Sequence, residues 1–286
     1  MKTKKRILVA PLDWGIGHAT RCIPLIQALI KHNFEVVLAA DGRPLHLLIN
    51  EFPELESIRF AGYNIKYPKY IPMGLSMFLQ SPKIMWNIKK EQQQLQQIIK
   101  DYNIDGVISD NRFGLYTDDV PSVFISHQLK IQSPYFENQI QQFNYKYINK
   151  YDACWVMDNE RNPFAAQLSS PEILPNTTTY IGIQSRFKLS KVAPKYEYLA
   201  LISGPEPQRT ILEKGLTKAL INSGKKSLIV TGKPEINSEE TEEDLTIKSH
   251  LNAKDLNLAI LQSKLIICRP GYSTIMDLAT LEKKAI

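Results

Sequence analysis

The apolar and polar residues of this chain alternate between short β-branched runs and longer segments of helical periodicity. The helical pattern is clear in 83–102, where apolar residues recur three or four positions apart on one face. Strands that alternate with helices favour a parallel sheet. We therefore predict an α/β domain over residues 1–190. Its strand-like runs occupy 6–12, 34–40, 105–110, 122–127 and 152–157.

A second alternating series begins after the polar segment 185–195 and predicts another α/β domain over residues 191–286. The last residues resemble the start of a further buried strand, so we expect this second domain to be incomplete at its C-terminal end. Two such domains would face a cleft at the carboxyl ends of their strands, where ligands bind in folds of this kind. We predict strands over 198–203, 227–231 and 265–268, and helices over 207–222, 253–263 and 273–284.

The composition is that of an ordinary soluble protein, with 43% hydrophobic and 22% charged residues. The three cysteines, Cys22, Cys154 and Cys268, have no disulfide or zinc spacing, which favours a reducing cytoplasm. No apolar run approaches the ~20 residues that cross a bilayer. We expect a cytoplasmic protein that does not span a membrane.

The net charge of +6 includes one strongly biased segment, 57–90. It holds six lysines and arginines, six aromatic residues and three methionines without a carboxylate. This combination suits the headgroup zone of an anionic membrane and predicts peripheral association with the inner face. A partly buried connector with solvated lysines is the alternative. We do not expect nucleic-acid binding, because the cations are diluted along the segment.

The loop 11–21 follows the first predicted strand and opens a helix. Gly15 and Gly17 allow a tight turn, and the helix amino terminus offers N–H groups to a phosphate. The spacing partly matches the dinucleotide fingerprint, but Thr20 replaces its third glycine, which argues against NAD. Arg21 completes a candidate phosphate or acceptor loop.

Two residues are candidates for a general base. His18 lies in the first turn of that helix, where the dipole favours a neutral ring that can accept a proton. A capping or structural histidine is the alternative. Asp110, at the end of the strand predicted over 105–110, is the second candidate.

Two further loops connect strands to helices in the second series. In 203–209, Arg209 could turn its guanidinium toward an anion, or the loop could be a plain helix start. In 269–274, glycine, hydroxyl groups and helix N–H groups together could cradle a diphosphate. Asp277 could close a capping box with Thr274 or accept the hydroxyls of a ribose.

The three loops, taken in order, resemble the GT-B glycosyltransferases of family 28, which include the peptidoglycan N-acetylglucosaminyltransferase and the galactolipid synthases. The resemblance implies two Rossmann-like domains facing a cleft. It also implies that His18 activates the acceptor, beside the loop residues Gly15, Gly17 and Arg21. The donor would bind Gly204, Glu206, Arg209, His250, Leu251, Arg269, Gly271, Tyr272, Ser273, Thr274 and Asp277.

By this resemblance the chain is an inverting, metal-independent glycosyltransferase without a cofactor. It would move a sugar, with N-acetylglucosamine as one candidate, from a uridine diphosphate (UDP) sugar to a lipid-linked or glycan hydroxyl. Arginines and helix N–H groups would stabilise the leaving diphosphate, a task that Mg²⁺ performs in other enzymes.

The sequence departs from the family pattern in two places. Pro205 and Pro207 replace small residues of the family's second loop and remove N–H donors. The family's segment that contacts the donor sugar would follow Ile286, so the sugar cannot be inferred. A sugar-nucleotide 2-epimerase and a non-catalytic nucleotide-binding protein are the alternative functions.

Overall fold

The computed structural model describes residues 4–13, 15–62, 81–204 and 206–286. They form two compact units. Unit 1 comprises Met1–Asp13, Leu25–Asp41 and Leu55–Ile183, and unit 2 comprises Trp14–Pro24, Gly42–Glu54 and Gln184–Ile286. The domain boundary near residue 190 stays a prediction, and part of the basic segment, 63–80, lies outside the described residues, as does Pro205.

Unit 1 contains a seven-stranded parallel sheet with strand order β3-β2-β1-β4-β5-β6-β7. The five strands expected from β-branched runs are confirmed, whereas the short strands β3, with a single isoleucine, and β7, with the sequence Thr-Thr-Tyr, were not predicted. The strand order reverses between β1 and β4, the position where doubly wound sheets commonly bind ligands. The strands are β1 (Arg6–Pro11), β2 (Glu35–Ala40), β3 (Glu56–Arg59), β4 (Gly106–Asp110), β5 (Ser122–Ser126), β6 (Ala153–Val156) and β7 (Thr178–Tyr180).

Helices follow the strands as the periodicity predicts. The helix expected over 83–102 is confirmed, and its buried Leu95 and Ile98 pack into the same apolar cluster as Val107 and Phe124 of the sheet. The described helices in the first part of the chain are α1 (Ile16–Lys31), α2 (Gly42–Glu51), α3 (Ser81–Asp101) and α4 (Glu137–Ile148). Helix α1 begins at the glycine-rich loop.

Unit 2 contains a five-stranded sheet with strand order β10-β11-β9-β8-β12, in which β10 alone pairs antiparallel to its neighbour. The three predicted strands and three predicted helices are confirmed, and the order reverses between β8 and β12. The elements are β8 (Tyr196–Leu201), α5 (Gln208–Asn222), β9 (Ser227–Val230), β10 (Glu239–Glu242), β11 (Leu245–Lys248), α6 (Ala253–Leu261), β12 (Ser263–Cys268) and α7 (Tyr272–Thr280).

Strand β10 was not predictable from its composition. Its sequence is Glu-Glu-Thr-Glu, and all four residues are exposed, so no apolar alternation marks it. At the other edge of the sheet, Ala285 forms a parallel bridge with Ile266 of β12. The predicted α/β class with two Rossmann-like sheets is confirmed. Within the described ranges, no helix is both long and apolar enough to cross a bilayer.

Candidate functional site

The glycine-rich loop places the start of α1 against another helix start within unit 2. Gly15 has φ +109°, a conformation that disfavours a side chain, and α1 begins at the next residue. A Cβ atom added at Gly17 would lie 3.3 Å from Ser273 Oγ, in the first turn of α7. The loops 11–21 and 269–274, which sequence analysis selected separately, therefore meet at Gly17 and Ser273.

The ring of His18 is held by an arginine one helical turn later. Arg21 Nη2 lies 2.8 Å from His18 Nδ1. Arg21 is 4% exposed, so its guanidinium belongs to the interior and is not a mobile surface group. Because a guanidinium has donors and no acceptor, Nδ1 accepts this hydrogen bond.

This contact determines the tautomer of the neutral ring. With Nδ1 accepting, the proton of neutral His18 lies on Nε2. A base that receives its proton at Nε2 needs the opposite tautomer. The base role stays a prediction, and it requires the Arg21 contact to break.

The carboxyl edge of the second sheet brings Gly204 and Arg269 together at the reversal between β8 and β12. Gly204 has φ +105°, and a Cβ there would lie 3.3 Å from the guanidinium carbon of Arg269 and would clash with its Nη1. A side chain at position 204 would therefore force this guanidinium to shift, and the positive φ itself favours glycine. The cation lies where ligands of doubly wound sheets bind.

The helix after this edge begins without a side-chain cap. Its N-cap is Gly271, which has no side chain that could accept from the first turn, and because Thr274 lies inside the helix and not at the N-cap, the capping box between Thr274 and Asp277 does not form. The first N–H groups of such a helix lack intrahelical partners and favour an anion. Tyr272, Ser273 and Thr274, all partly exposed, form this first turn.

Asp277 lies one turn further along α7 and makes contacts that sequence analysis missed. Ser185 Oγ donates to Asp277 Oδ1 at 2.6 Å. Burial raises the pKa of Asp277 to about 6, and the nearby Arg186 and the Ser185 hydroxyl oppose that rise. The carboxylate is therefore ionised at neutral pH but close to titration.

In the sequence, Arg186 belongs to the polar segment 185–195. Its Nε is buried and has no hydrogen-bond partner among the described residues. Burial lowers the pKa of Arg186, and the charges of Asp277 and Glu51 oppose that shift. No local sequence signal distinguishes Arg186 from the rest of that segment, because the charged residues near it, Asp277 and Glu51, are distant in the sequence.

His250 and Leu251 precede α6, as expected for the segment that would contact the base. Burial lowers the pKa of His250, Arg186 lowers it further, and Glu235 opposes both. Leu251 packs against the apolar core of unit 2. The two residues therefore place a largely neutral ring and an apolar side chain in the same loop.

Arg209 occupies a different environment from the one expected. It is 4% exposed, and its Nε donates to Glu206 Oε1 at 2.7 Å. Its Nη1 donates to Glu213 Oε2 at 3.0 Å and to the Thr231 carbonyl at 3.1 Å. Hydrogen bonds from Thr210 and Arg209 lower the pKa of Glu206 to about 2. These contacts commit the guanidinium to carboxylates of its own unit, so it is not open to a diphosphate.

Asp110, the second candidate base, belongs to unit 1 and is fully buried at the end of β4. Arg112, two residues later, is also fully buried. Asp110 has interactions of its own in this structure. Neither His18 nor Asp110 therefore stands as an unengaged base.

The family comparison decides the class of this protein. Residues 5–152, more than half of the chain, match the family described as glycosyl transferase family 1. The chain belongs to glycosyl transferase family 1. The match confirms a glycosyltransferase and does not confirm the resemblance to family 28. No curated protein matches the chain.

Solved structures similar to this glycosyltransferase share the GT-B fold at low identity. The spinosyn rhamnosyltransferase SpnG is 13% identical, with 98% of this chain and 79% of that chain covered and a TM-score of 0.60. SnogD from Streptomyces nogalater is 14% identical, with 99% and 80% covered and a TM-score of 0.58. Phytolacca americana UGT2, complexed with UDP-2fluoro-glucose and pterostilbene, is 13% identical, with 100% and 80% covered and a TM-score of 0.59.

Proposed function

We propose that this glycosyltransferase moves a sugar from a UDP-sugar to an acceptor hydroxyl, with inversion and without a metal ion. The observation that carries the proposal is the convergence of hydrogen-bond donors at one edge of the second sheet. Arg269 lies beside Gly204, α7 begins uncapped, and the start of α1 contacts the first turn of α7 through Gly17. These groups suit a diphosphate.

The same donors would stabilise the leaving group. Negative charge develops on the diphosphate as the bond to the sugar breaks, and donors that are already oriented lower the barrier most. We assign this role to Arg269 and the first turn of α7, and not to Arg209, whose guanidinium is committed to Glu206 and Glu213. Activity should therefore persist in EDTA, and restoration by Mg²⁺ of activity lost in EDTA would contradict the metal-free mechanism.

Asp277 is proposed to bind the ribose of the donor. Its ionised carboxylate can accept hydrogen bonds from two hydroxyl groups, in place of or beside the one from Ser185. The loop of His250 and Leu251 is proposed to contact the base. The UDP-2fluoro-glucose complex of UGT2 supports a uridine nucleotide as the first donor class to test.

We propose a glycan or glycolipid acceptor, reached from an anionic membrane surface at the inner face of the membrane. In the described part of segment 57–90, Trp86 is 62% exposed and Met85 46% exposed. Lys90 Nζ lies 5.5 Å from the centre of the Trp86 ring, and Lys89 is also exposed. An exposed indole flanked by cations suits the headgroup zone.

A product analysis tests the proposed reaction. The protein is incubated with UDP-N-acetylglucosamine, UDP-galactose or UDP-glucose, each with and without a lipid-linked or glycan acceptor. Acceptor-dependent release of UDP and a new glycoside of inverted anomeric configuration are expected. Interconversion of the UDP-sugar without acceptor would indicate the 2-epimerase, and binding without any turnover would indicate a nucleotide-binding protein.

A further inference from the structure

A concave region of unit 1 lies between helix α3 and the loop 116–119, and polar residues line it. Its volume is about 460 Å³, which is within the range of about 300–1,000 Å³ typical of small-molecule sites. We propose that this region, the glutamine groove, binds a neutral saccharide. The helix contributes Lys89, Gln92, Gln93 and Gln96 to the groove, and the loop contributes its four successive residues, 116–119.

The first step of the argument is that buried contacts fix the loop to the helix. A Cβ atom added at Gly114 would lie 2.6 Å from the carbonyl oxygen of Ile88, so only a residue without a side chain fits against α3 there. The Gly114 amide donates to Glu91 Oε2 at 3.1 Å, and the Leu115 amide donates to Tyr151 Oη at 3.0 Å. The two walls of the glutamine groove are therefore held together immediately before residue 116.

The second step is that side chains of the loop are already ordered. Lys150 Nζ donates to Tyr116 Oη at 3.0 Å and lies 4.4 Å from the centre of the Tyr116 ring. Thr117 Oγ1 accepts from the Asp119 amide at 3.1 Å and donates to Asp119 Oδ2 at 3.3 Å. A ligand that binds here does not have to order this wall, which lowers the entropic cost of binding.

The third step is that the glutamines of the opposite wall have unused hydrogen-bonding groups. Gln92 and Gln96 are four residues apart and Gln93 and Gln96 three, so their side chains are neighbours on the helix surface. Among the residues that the structure describes, their carboxamides make no hydrogen bond, whereas the carboxamide of Gln97 donates to Asp101 Oδ1 at 2.7 Å. Each free carboxamide offers two donor hydrogens and an acceptor oxygen.

The fourth step is the chemistry of a ligand that would use these groups. A sugar hydroxyl both donates and accepts, as a carboxamide does, and the exposed carboxylate of Asp118 can accept from further hydroxyls. Lys89 is opposed by Asp118 and Asp119, so the charges of the lining do not favour an anion. None of the eight lining residues is aliphatic, which argues against an apolar ligand. A neutral polyhydroxyl compound fits both conditions.

NMR of the glutamine side-chain amides tests the binding without any assay of activity. The ¹⁵N-labelled protein is titrated with glucose, galactose, N-acetylglucosamine, cellobiose, lactose and chitobiose. The signals of Gln92, Gln93 and Gln96 are assigned by their loss in single alanine variants. We expect at least one of these sugars to shift them with a dissociation constant of about a millimolar or less, while the Gln97 signals stay in place. No shift with any of the sugars at about 50 mM would overturn the proposal.

Inorganic phosphate and UDP serve as probes of the ligand class in the same titration. Neither should shift the three glutamine signals. Shifts with phosphate and none with the sugars would overturn the assignment to a neutral ligand. Because the measurement needs no turnover and UDP is proposed to bind in unit 2, a failure of the proposed reaction would leave the result for the glutamine groove unaffected.

The source of the saccharide is distinguished by kinetics, in an experiment that rests on the proposed function. If the bound sugar is part of a glycan acceptor, Gln92→Ala should raise the KM for that acceptor and leave kcat nearly unchanged. If it is a separate saccharide, sugar binding should weaken in Gln92→Ala and the KM should not change. Both results require a groove that binds a saccharide, and an unchanged affinity for the sugar in Gln92→Ala would contradict the proposal.

Alanine variants with a matched control measure the contribution of each carboxamide. Gln92→Ala and Gln96→Ala should each raise the dissociation constant of the sugar roughly three- to tenfold, the usual loss for one hydrogen bond. Gln97→Ala removes a carboxamide from the same helix outside the groove and should change the constant less than about twofold. These side chains are not buried, so the variants should keep the fold, and thermal unfolding checks this. Equal losses in all three variants would overturn the proposal.

Discussion

The carboxyl edges of the two sheets provide an internal comparison, because each sheet has a strand-order reversal and an arginine beside it. In unit 1, Arg112 follows β4 and is fully buried. Its Nε donates to Glu91 Oε1 at 2.9 Å, and its Nη1 donates to the carbonyl of Pro11, the last residue of β1, at 3.2 Å. In unit 2, Arg269 follows β12, is partly exposed and lies beside a glycine.

The difference shows that the same topology can either seal or expose its reversal point. At the edge of unit 1, Arg112 also stacks on the Phe60 ring, 4.4 Å from its centroid, and Glu91 Oε2 accepts from the Gly114 amide at 3.1 Å. The Glu91 carboxylate and the main-chain carbonyls of Pro11 and Phe60 thus satisfy that guanidinium. The edge of unit 2 instead presents a cation and uncapped N–H groups, which is why we place the nucleotide there.

The largest expected effect is on the sealed edge. Arg112→Met would leave Glu91 buried without its cation, which should lower the free energy of unfolding by about 3 to 5 kcal/mol. Urea denaturation measures this loss. The control is the double variant Arg112→Met, Glu91→Met, which removes both charges and should recover much of the stability. A small loss in the single variant would mean that Arg112 does not anchor this edge.

Substitution at the exposed edge of unit 2 should change the affinity for UDP and leave the free energy of unfolding nearly unchanged. Arg269→Met removes a charged donor and should weaken UDP binding by about 1.5 to 3 kcal/mol, roughly ten- to a hundredfold, as measured by calorimetry. The unfolding free energy should change by less than about 0.5 kcal/mol, because the residue is partly exposed.

Arg209 supplies the matched control in the same unit. Arg209→Met should destabilise the fold, because Glu206 and Glu213 lose their shared cation. Its folded fraction should bind UDP with nearly normal affinity. If Arg209→Met weakens UDP binding more than Arg269→Met does, the assignment of the two arginines is reversed.

Whether the sequence alone predicts these contacts depends on how far apart the interacting residues are along the chain. The strands with apolar or β-branched runs, the three loops and the helix starts that follow them were predictable, because periodicity and glycine positions are local signals. The ion pairs of Arg209 could also have been predicted, since Glu206 and Glu213 stand three residues before and four after it, a helical spacing for ion pairs. Sequence analysis did not use that spacing.

Other features had no local signal. Ser185 contacts Asp277 across 92 positions, so their pairing depends on the fold of unit 2. Likewise, only the room left by Gly204 distinguishes Arg269 from an ordinary arginine in a loop. The contact of Arg21 with His18 spans three residues and was in principle visible, but its direction and its effect on the tautomer required the geometry.

Measurements of protein stability at several pH values test whether the pKa of Asp277 is raised. Because the pKa of Asp277 in the folded state, about 6, lies above its ordinary value of 3.8, the folded state holds a proton that the unfolded state has released between these pH values. Wild-type stability should therefore fall relative to Asp277→Asn as pH rises from about 4 to 6, by at most about 1.4 kcal/mol per pH unit. A pH-independent difference would show that the pKa is not raised.

UDP affinity should change in the opposite sense over the same pH range. If the ionised carboxylate accepts the ribose hydroxyls, wild-type binding should strengthen as pH rises through about 6, whereas Asp277→Asn should bind weakly throughout. Calorimetry at several pH values measures both proteins. Equal affinities in the two proteins would leave Asp277 as a structural residue.

The smallest expected effect concerns the exposed lysines of α3. Lys89→Gln and Lys90→Gln should each weaken binding to vesicles that contain anionic lipid by ~1 kcal/mol or less, and added salt should weaken binding further. Sedimentation with neutral vesicles is the control. Equal association with neutral and anionic vesicles, or none with either, would contradict an electrostatic membrane contact.

The central claim is that the nucleotide binds at the edge of the second sheet, and hydrogen–deuterium exchange with and without UDP tests it most directly. We predict that UDP slows exchange in peptides covering 15–21, 201–209 and 268–278, which contain the glycine-rich loop and the two strand–helix loops. Slowed exchange confined to 109–115, at the edge that Arg112 seals, would contradict the account.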